Sequence, residues 1–145
     1  MNDSLDEDFE RTQKLVLVLG QARQLIASEL RAGLTDAALN LQERGVLLAL
    51  VRGSVQTPAA LSKLAGVHAT RMTRVLDKLE RRGLIERARN ARDRRLVDVS
   101  LTREGQVVAA RSARVVHGAW SERLSHISKS DFDALSLLLS RLLDR

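Results

Sequence analysis

Apolar residues recur at helical spacing along most of this chain, and at strand spacing over one short stretch near its middle. From Phe9 to about Leu30, the residues Leu15, Leu19, Ala22, Ile26 and Leu30 fall on one helical stripe, with Val16 and Leu25 beside it. The run Leu15-Val16-Leu17-Val18-Leu19 is apolar all round, so this helix is expected to be covered on several sides. A dimer interface would cover it, and so would a central place in the core. Residues 1–8 read as a frayed acidic lead. A break is expected around Gly33, where Thr35 or Asp36 can cap a new start. Leu41 to Val51 gives a second helix with Val46, Leu47, Leu50 and Val51 facing inward, and Gly53-Ser54 ends it.

Thr57-Pro58 marks the next start, because Thr supplies a capping oxygen and Pro loses nothing at the first helical position. That helix runs Ala59 to Ala65 and stops at Gly66, a residue suited to a left-handed cap. Another begins near His68 and runs to Arg82, ahead of Gly83. Its inward stripe is Met72, Val75, Leu76 and Leu79; its other side carries Thr70, Arg71, Arg74, Lys78, Arg81 and Arg82. The period then shifts to two. Residues 84–89 and 96–101 read as strands joined by a polar tip, Asn90-Ala91-Arg92-Asp93-Arg94-Arg95. Thr102 caps a long helix to about Ile127, with Ala109, Ala113, Val116, Trp120, Leu124 and Ile127 in step. Ser128 with Asp131 resembles a capping box and opens a last helix with Phe132, Leu135, Leu139 and Leu142 on one face. The fold class is mainly α with a small two- to three-stranded β wing. Residues 1–145 form a single domain, in which 36–102 are a winged helix-turn-helix.

Composition narrows this further. The only aromatics are Phe9, Trp120 and Phe132, so the core must come from Leu, Val, Ile and Ala, which suits helix packing better than a β-sandwich. The absence of cysteine excludes disulfides, thiolate metal sites, cysteine nucleophiles and thiol redox sensing, and it fits a reducing cytosol. No stretch approaches the roughly 20 apolar residues that span a membrane. The acidic start, Asp3, Asp6, Glu7, Asp8 and Glu10, is the opposite of a signal peptide. A cytoplasmic protein is expected. The net charge is +6, and Lys63 to Arg95 alone holds eleven basic residues against four acidic ones. Positive charge gathered in one continuous piece is the footprint of a polyanion binder.

Several of these residues carry a likeness. Thr73-Arg74 and Asp77-Lys78-Leu79-Glu80, then Gly83-Leu84-Ile85-Glu86-Arg87, then Arg92-Asp93-Arg94-Arg95, and finally Val99-Ser100-Leu101-Thr102 with Gly105, resemble the multiple-antibiotic-resistance-regulator (MarR) family. The specific part is 57–105; the terminal helices match in length and apolarity. The resemblance implies a homodimer in which helices at 9–32 and 103–145 interlock. It implies a recognition helix for the major groove and a wing for the minor groove of a pseudo-palindromic operator. It also implies repression relieved by a small, often aromatic, anion or its thioester.

On this reading the DNA-binding candidates are His68, Thr70, Arg71, Thr73, Arg74, Lys78, Arg92, Asp93, Arg94 and Arg95. Arg pairs bidentately with guanine O6 and N7, and Arg71, nearer the helix start, suits a base edge; Arg74 suits a base or a phosphate. Thr70 and Thr73 fit a thymine methyl or a phosphate oxygen. His68 fits a phosphate contact or a helix cap. Three arginines on one hairpin tip repel each other, and a narrow minor groove attracts inserted Arg. By resemblance, Asp93 orients Arg95 by a salt bridge. Lys63, Lys78, Arg81, Arg82, Arg87 and Arg89 are expected to supply the phosphate contacts that position without reading sequence, with some of them idle. Trp120 is the one candidate for an effector pocket, with core or interface packing as the plainer reading; His117 and His126 lack the spacing of a metal pair.

No Gly-rich phosphate loop, metal-ligand cluster or nucleophile elbow is present, so neither an enzyme, a cofactor nor a metal is expected. Asp131 and Asp133 read as complements to a helix dipole. A single-strand or RNA binder would stack bases on aromatics, and all three here lie outside the basic segment. The serious alternative is a winged-helix protein-interaction module without operator binding, against which the crowded arginines argue.

Overall fold

The computed structural model describes residues 2–32, 39–51 and 56–144. Eight elements follow in order: α1 (Asn2–Ala32), α2 (Leu41–Leu50), α3 (Pro58–Ala65), α4 (Ala69–Arg81), β1 (Ile85–Arg89), β2 (Val97–Leu101), α5 (Arg103–Leu124) and α6 (Lys129–Leu143). The expected breaks at Gly33 and Gly53-Ser54, and the caps Thr35 and Asp36, lie outside the described residues.

The ends of the central elements follow from their capping residues. Asn40 accepts the Glu43 N–H at 2.9 Å, while Glu43 Oε2 accepts the Asn40 N–H at 3.1 Å, a reciprocal box that starts α2. Thr57 accepts the Ala60 N–H at 3.2 Å, with Pro58 inside the first turn of α3. Gly66 closes α3 at φ 61°, and Gly83 follows α4 at φ 69°, left-handed conformations that cost glycine nothing. β1 and β2 pair antiparallel with Ile85 opposite Leu101 and Arg89 opposite Val97. A further bridge joins Gln56 to Val99, so the wing is two strands with one residue of a third.

The core sits under this central lobe. Val46, Leu47, Leu50, Leu61, Met72, Leu76, Leu79, Leu84, Ile85 and Val99 are all buried, and α5 adds Ala109. Full burial of one such side chain is worth about 1.5–3 kcal/mol. The start of α5 is pressed against the lobe: a Cβ on Gly105 would lie 1.8 Å from the Leu84 carbonyl oxygen, so only glycine fits. Thr102 fixes the same junction by donating its N–H to Leu84 O and its hydroxyl to Gly83 O, at 3.1 and 2.5 Å.

Two expectations are corrected. The acidic lead is not frayed, since α1 begins at Asn2. Within it Glu7 pairs with Arg11 at 2.6 Å, four residues on. Nor is α1 a central core helix. Leu15, Val16, Leu17 and Val18 are half or more exposed in the single chain, and α6 has no buried residue among those described. No helix among the described residues is long and apolar enough to cross a membrane.

Candidate nucleic-acid interface

Helix α4 stands with one face in the core and the other open. Met72, Val75, Leu76 and Leu79 point inward, which leaves Thr70, Arg71, Thr73, Arg74 and Lys78 outward, as helical periodicity requires. Its N-cap is His68, whose Nδ1 accepts the Thr70 N–H at 3.4 Å and lies 3.0 Å from the Thr70 hydroxyl. His68 is therefore a cap, and a long one, with its ring exposed. Neither guanidinium of Arg71 and Arg74 has a partner among the described residues; both line a surface depression of about 330 Å³ beside Asn40, Gln42 and Lys78.

The wing tip is built by one asparagine. Asn90 Oδ1 accepts the N–H groups of Arg92 and Asp93, both at 2.9 Å, while its Nδ2 donates to the Asp98 carboxylate at 2.9–3.0 Å. Asp93 in turn accepts from Arg95 three times: from its N–H at 3.0 Å, its Nε at 3.1 Å and its Nη2 at 3.1 Å. The fork-like pair orients a guanidinium whose side chain remains 90% exposed. The hydrogen bonds from Arg95 hold the Asp93 carboxyl below its ordinary pKa, and Asp93 raises that of Arg95. Arg92 and Arg94 are exposed, and their guanidinium groups are unpaired among the described residues.

Other basic residues expected at phosphate are already occupied. Arg87 on β1 donates Nε to Glu80 at 3.0 Å and Nη2 to Asp77 at 2.7 Å, and pairs with Glu80 a second time through Nη2. These bonds lower the Glu80 pKa and raise that of Arg87, and they tie the wing to α4. Arg89 donates to the Arg94 carbonyl at 2.9 Å and Arg81 to the Asp77 carbonyl at 3.3 Å. Arg82 and Lys78 meet Glu43, at 3.3 and 2.9 Å. Glu43, Asn90, Asp98 and the acidic partners of Arg87 escaped the reading of the sequence. One signal was there: Asn40-Leu41-Gln42-Glu43 has the spacing of a capping box.

A second concavity, of about 1030 Å³, lies among α1, α2, α5 and α6. Half-buried Trp120 lines it, with Ile26, Leu48, Val116 and Phe132 as apolar walls and His117 and Lys129 among its polar lining. No group of three or more His, Cys, Asp or Glu that could hold a metal exists among the described residues.

Comparison with known proteins gives the same frame. A family model described as the MarR family matches residues 40–97. Among solved structures, the transcriptional regulator PA4135 is 28% identical with a TM-score of 0.75, covering 88% of this chain and 94% of its own. A mutant MarR from E. coli, complexed with operator DNA, is 25% identical with a TM-score of 0.72, covering 93% of this chain and 97% of its own. NadR in complex with 4-hydroxyphenylacetate, at 23% identity, shares the fold with a TM-score of 0.82, over 88% of this chain and 91% of its own.

Proposed function

We propose, from the match of a MarR-family model to residues 40–97, that this chain is a sequence-specific regulator of transcription that binds double-stranded DNA as a homodimer. The observation that carries the reading is the pairing of two exposed basic elements on one lobe. The outward face of α4 presents Arg71 and Arg74 without partners among the described residues, and the wing presents Arg92, Arg94 and an oriented Arg95. Arg71 suits a guanine edge in the major groove, with Arg74, Thr70, Thr73 and the His68 ring on nearby backbone or bases. The wing arginines suit a narrow minor groove, with Asp93 as the residue that aims Arg95. Lys78 belongs to the same face, but its ammonium lies on Glu43.

The uncovered apolar faces of α1 and α6 support a second copy as their cover, so that residues 36–102 form the DNA-binding lobe and 9–32 with 103–145 the dimer's shared helices. Two lobes then meet an inverted repeat about one DNA turn apart, roughly 34–36 Å. The Trp120 concavity, apolar with His117 and Lys129 on its lining, suits a small aromatic anion. Such a ligand relieves repression by preferring a dimer whose α4 helices are misspaced for DNA. The chain is not an enzyme on this reading, and it works in the cytoplasm with the DNA.

Selection from a random duplex library followed by footprinting tests this directly. The expected product is an inverted repeat with two protected major grooves one turn apart and protected A·T-rich flanks. Recovery of no enriched sequence, with the chain instead pulling down a protein through its wing, would establish the interaction-module reading.

A further inference from the structure

Glu43 is a carboxylate sealed inside a protein whose partner is a polyanion. Its side chain is fully buried, and both oxygens are filled. Oε1 accepts from Asn40 Nδ2 at 3.0 Å and from Lys78 Nζ at 2.9 Å; Oε2 accepts from the Asn40 N–H at 3.1 Å and from Arg82 Nη1 at 3.3 Å. The capping box explains the hydrogen bonds to Asn40 but not the charge, because glutamine serves a capping box as well as glutamate. Burying a charge is costly unless ionic partners repay it, and here the partners are Lys78 of α4 and Arg82 just past its end. One of them lies on the open face: Lys78 lines the same depression as Arg71 and Arg74 and keeps a half-exposed side chain.

Resting on the DNA-binding reading above, we propose that Glu43 is a specificity-determining positioning residue. From inside the fold it neutralises Lys78 and Arg82, and so confines phosphate binding to Arg71, Arg74 and the wing tip. Non-specific affinity for DNA comes almost wholly from phosphate neutralisation and counterion release. Cations held by Glu43 release no counterions, so the grip on random sequence stays weak. The specific complex, fixed in register by base contacts, depends less on those two charges. Discrimination is a difference of affinities, and lowering the competitor's affinity raises it as effectively as improving the target's.

The test uses Glu43→Gln, which keeps the cap and removes the charge, together with Lys78→Gln and the double variant. Binding of a selected operator and of a scrambled duplex is followed by fluorescence anisotropy over a salt series. Each freed cation that reaches a phosphate steepens the slope of log K against log salt by about 0.9. The proposal expects Glu43→Gln to bind scrambled duplex more tightly, with a slope steeper by about 0.9 from the release of Lys78. The operator-to-scrambled ratio falls several-fold, and the added Lys78→Gln change removes the extra slope. Lys78→Gln alone leaves the wild-type slope where it was. A wild-type slope that flattens by about 0.9 in Lys78→Gln would show that Lys78 already holds phosphate, and would overturn the proposal even if Glu43→Gln failed to fold. An unchanged slope in a folded Glu43→Gln protein would overturn it equally. Failure of the wild-type protein to bind either duplex would count against the DNA-binding reading instead.

Discussion

The central lobe and the terminal helices use the same residues to opposite ends. Between Leu39 and Val99 the apolar stripes meet one another, and Leu47, Leu61, Leu79 and Val99 have no exposed surface at all. In α1 and α6 comparable stripes remain open: Val16 is 62% exposed, Leu17 67% and Leu138 59%. Apolar periodicity is thus a statement that a face will be covered, and not a statement about what covers it. In the lobe the cover is the same chain; at the ends the cover we propose is a second one.

Breaking the two regions should therefore give different losses. Leu47→Ala removes a fully buried side chain and should cost the fold about 2–5 kcal/mol in denaturant melts. Leu138→Asp on α6 should leave the lobe's secondary structure intact by circular dichroism and shift sedimentation at micromolar concentration from two chains to one. If Leu138→Asp unfolded the lobe as Leu47→Ala does, the division between the regions would be false.

On the DNA side, Arg71→Ala should weaken operator binding by about 1–3 kcal/mol and relax specificity at one position per half-site, read by competition with single-base operator variants. Equal weakening on every sequence would move Arg71 to a phosphate. A smaller effect is expected from Arg87→Met, which removes the link from β1 to Asp77 and Glu80. With the wing no longer held to α4, the penalty for Arg95→Ala at A·T-rich flanks should shrink. Additive losses in the double variant would show that the wing is placed without Arg87.

The smallest effect is one of pH. Because Arg95 holds the folded Asp93 pKa below its unfolded value, the pair's contribution is fully present above the unfolded value, near 4. It weakens as pH falls below that and is lost once pH passes the lowered value. The Arg95 Nε resonance should stay in its paired position at neutral pH and move only in that acid range. Movement nearer neutrality would show that Asp93 is not its partner.

Much of this molecule is legible in its sequence where local rules decide. Thr57-Pro58, Gly66, Gly83 and Thr102 punctuate the chain where capping chemistry says they should, and the change from helical spacing to period two locates the wing. The likeness at Asp93 and Arg95 has its counterpart in a fork-shaped contact. What stayed hidden is the pairing of distant charges. Nothing local shows that Lys78 and Arg82 close on Glu43, or that Arg87 folds back onto Asp77 and Glu80, because those contacts exist only once α2, α4 and β1 pack. Counting basic residues consequently overstates the surface available to phosphate. The acidic lead differs from its expectation for another reason: its polar residues continue the helix, with Glu7 and Arg11 paired one turn apart.

The most direct measurement is fluorescence anisotropy of the purified protein against a selected operator and a scrambled duplex of equal length, over a series of salt concentrations. The account predicts tight binding to the operator, weaker binding to the scrambled duplex, and a steep fall of both with salt. Equal, weak affinity for the two duplexes would contradict it, whatever the fold.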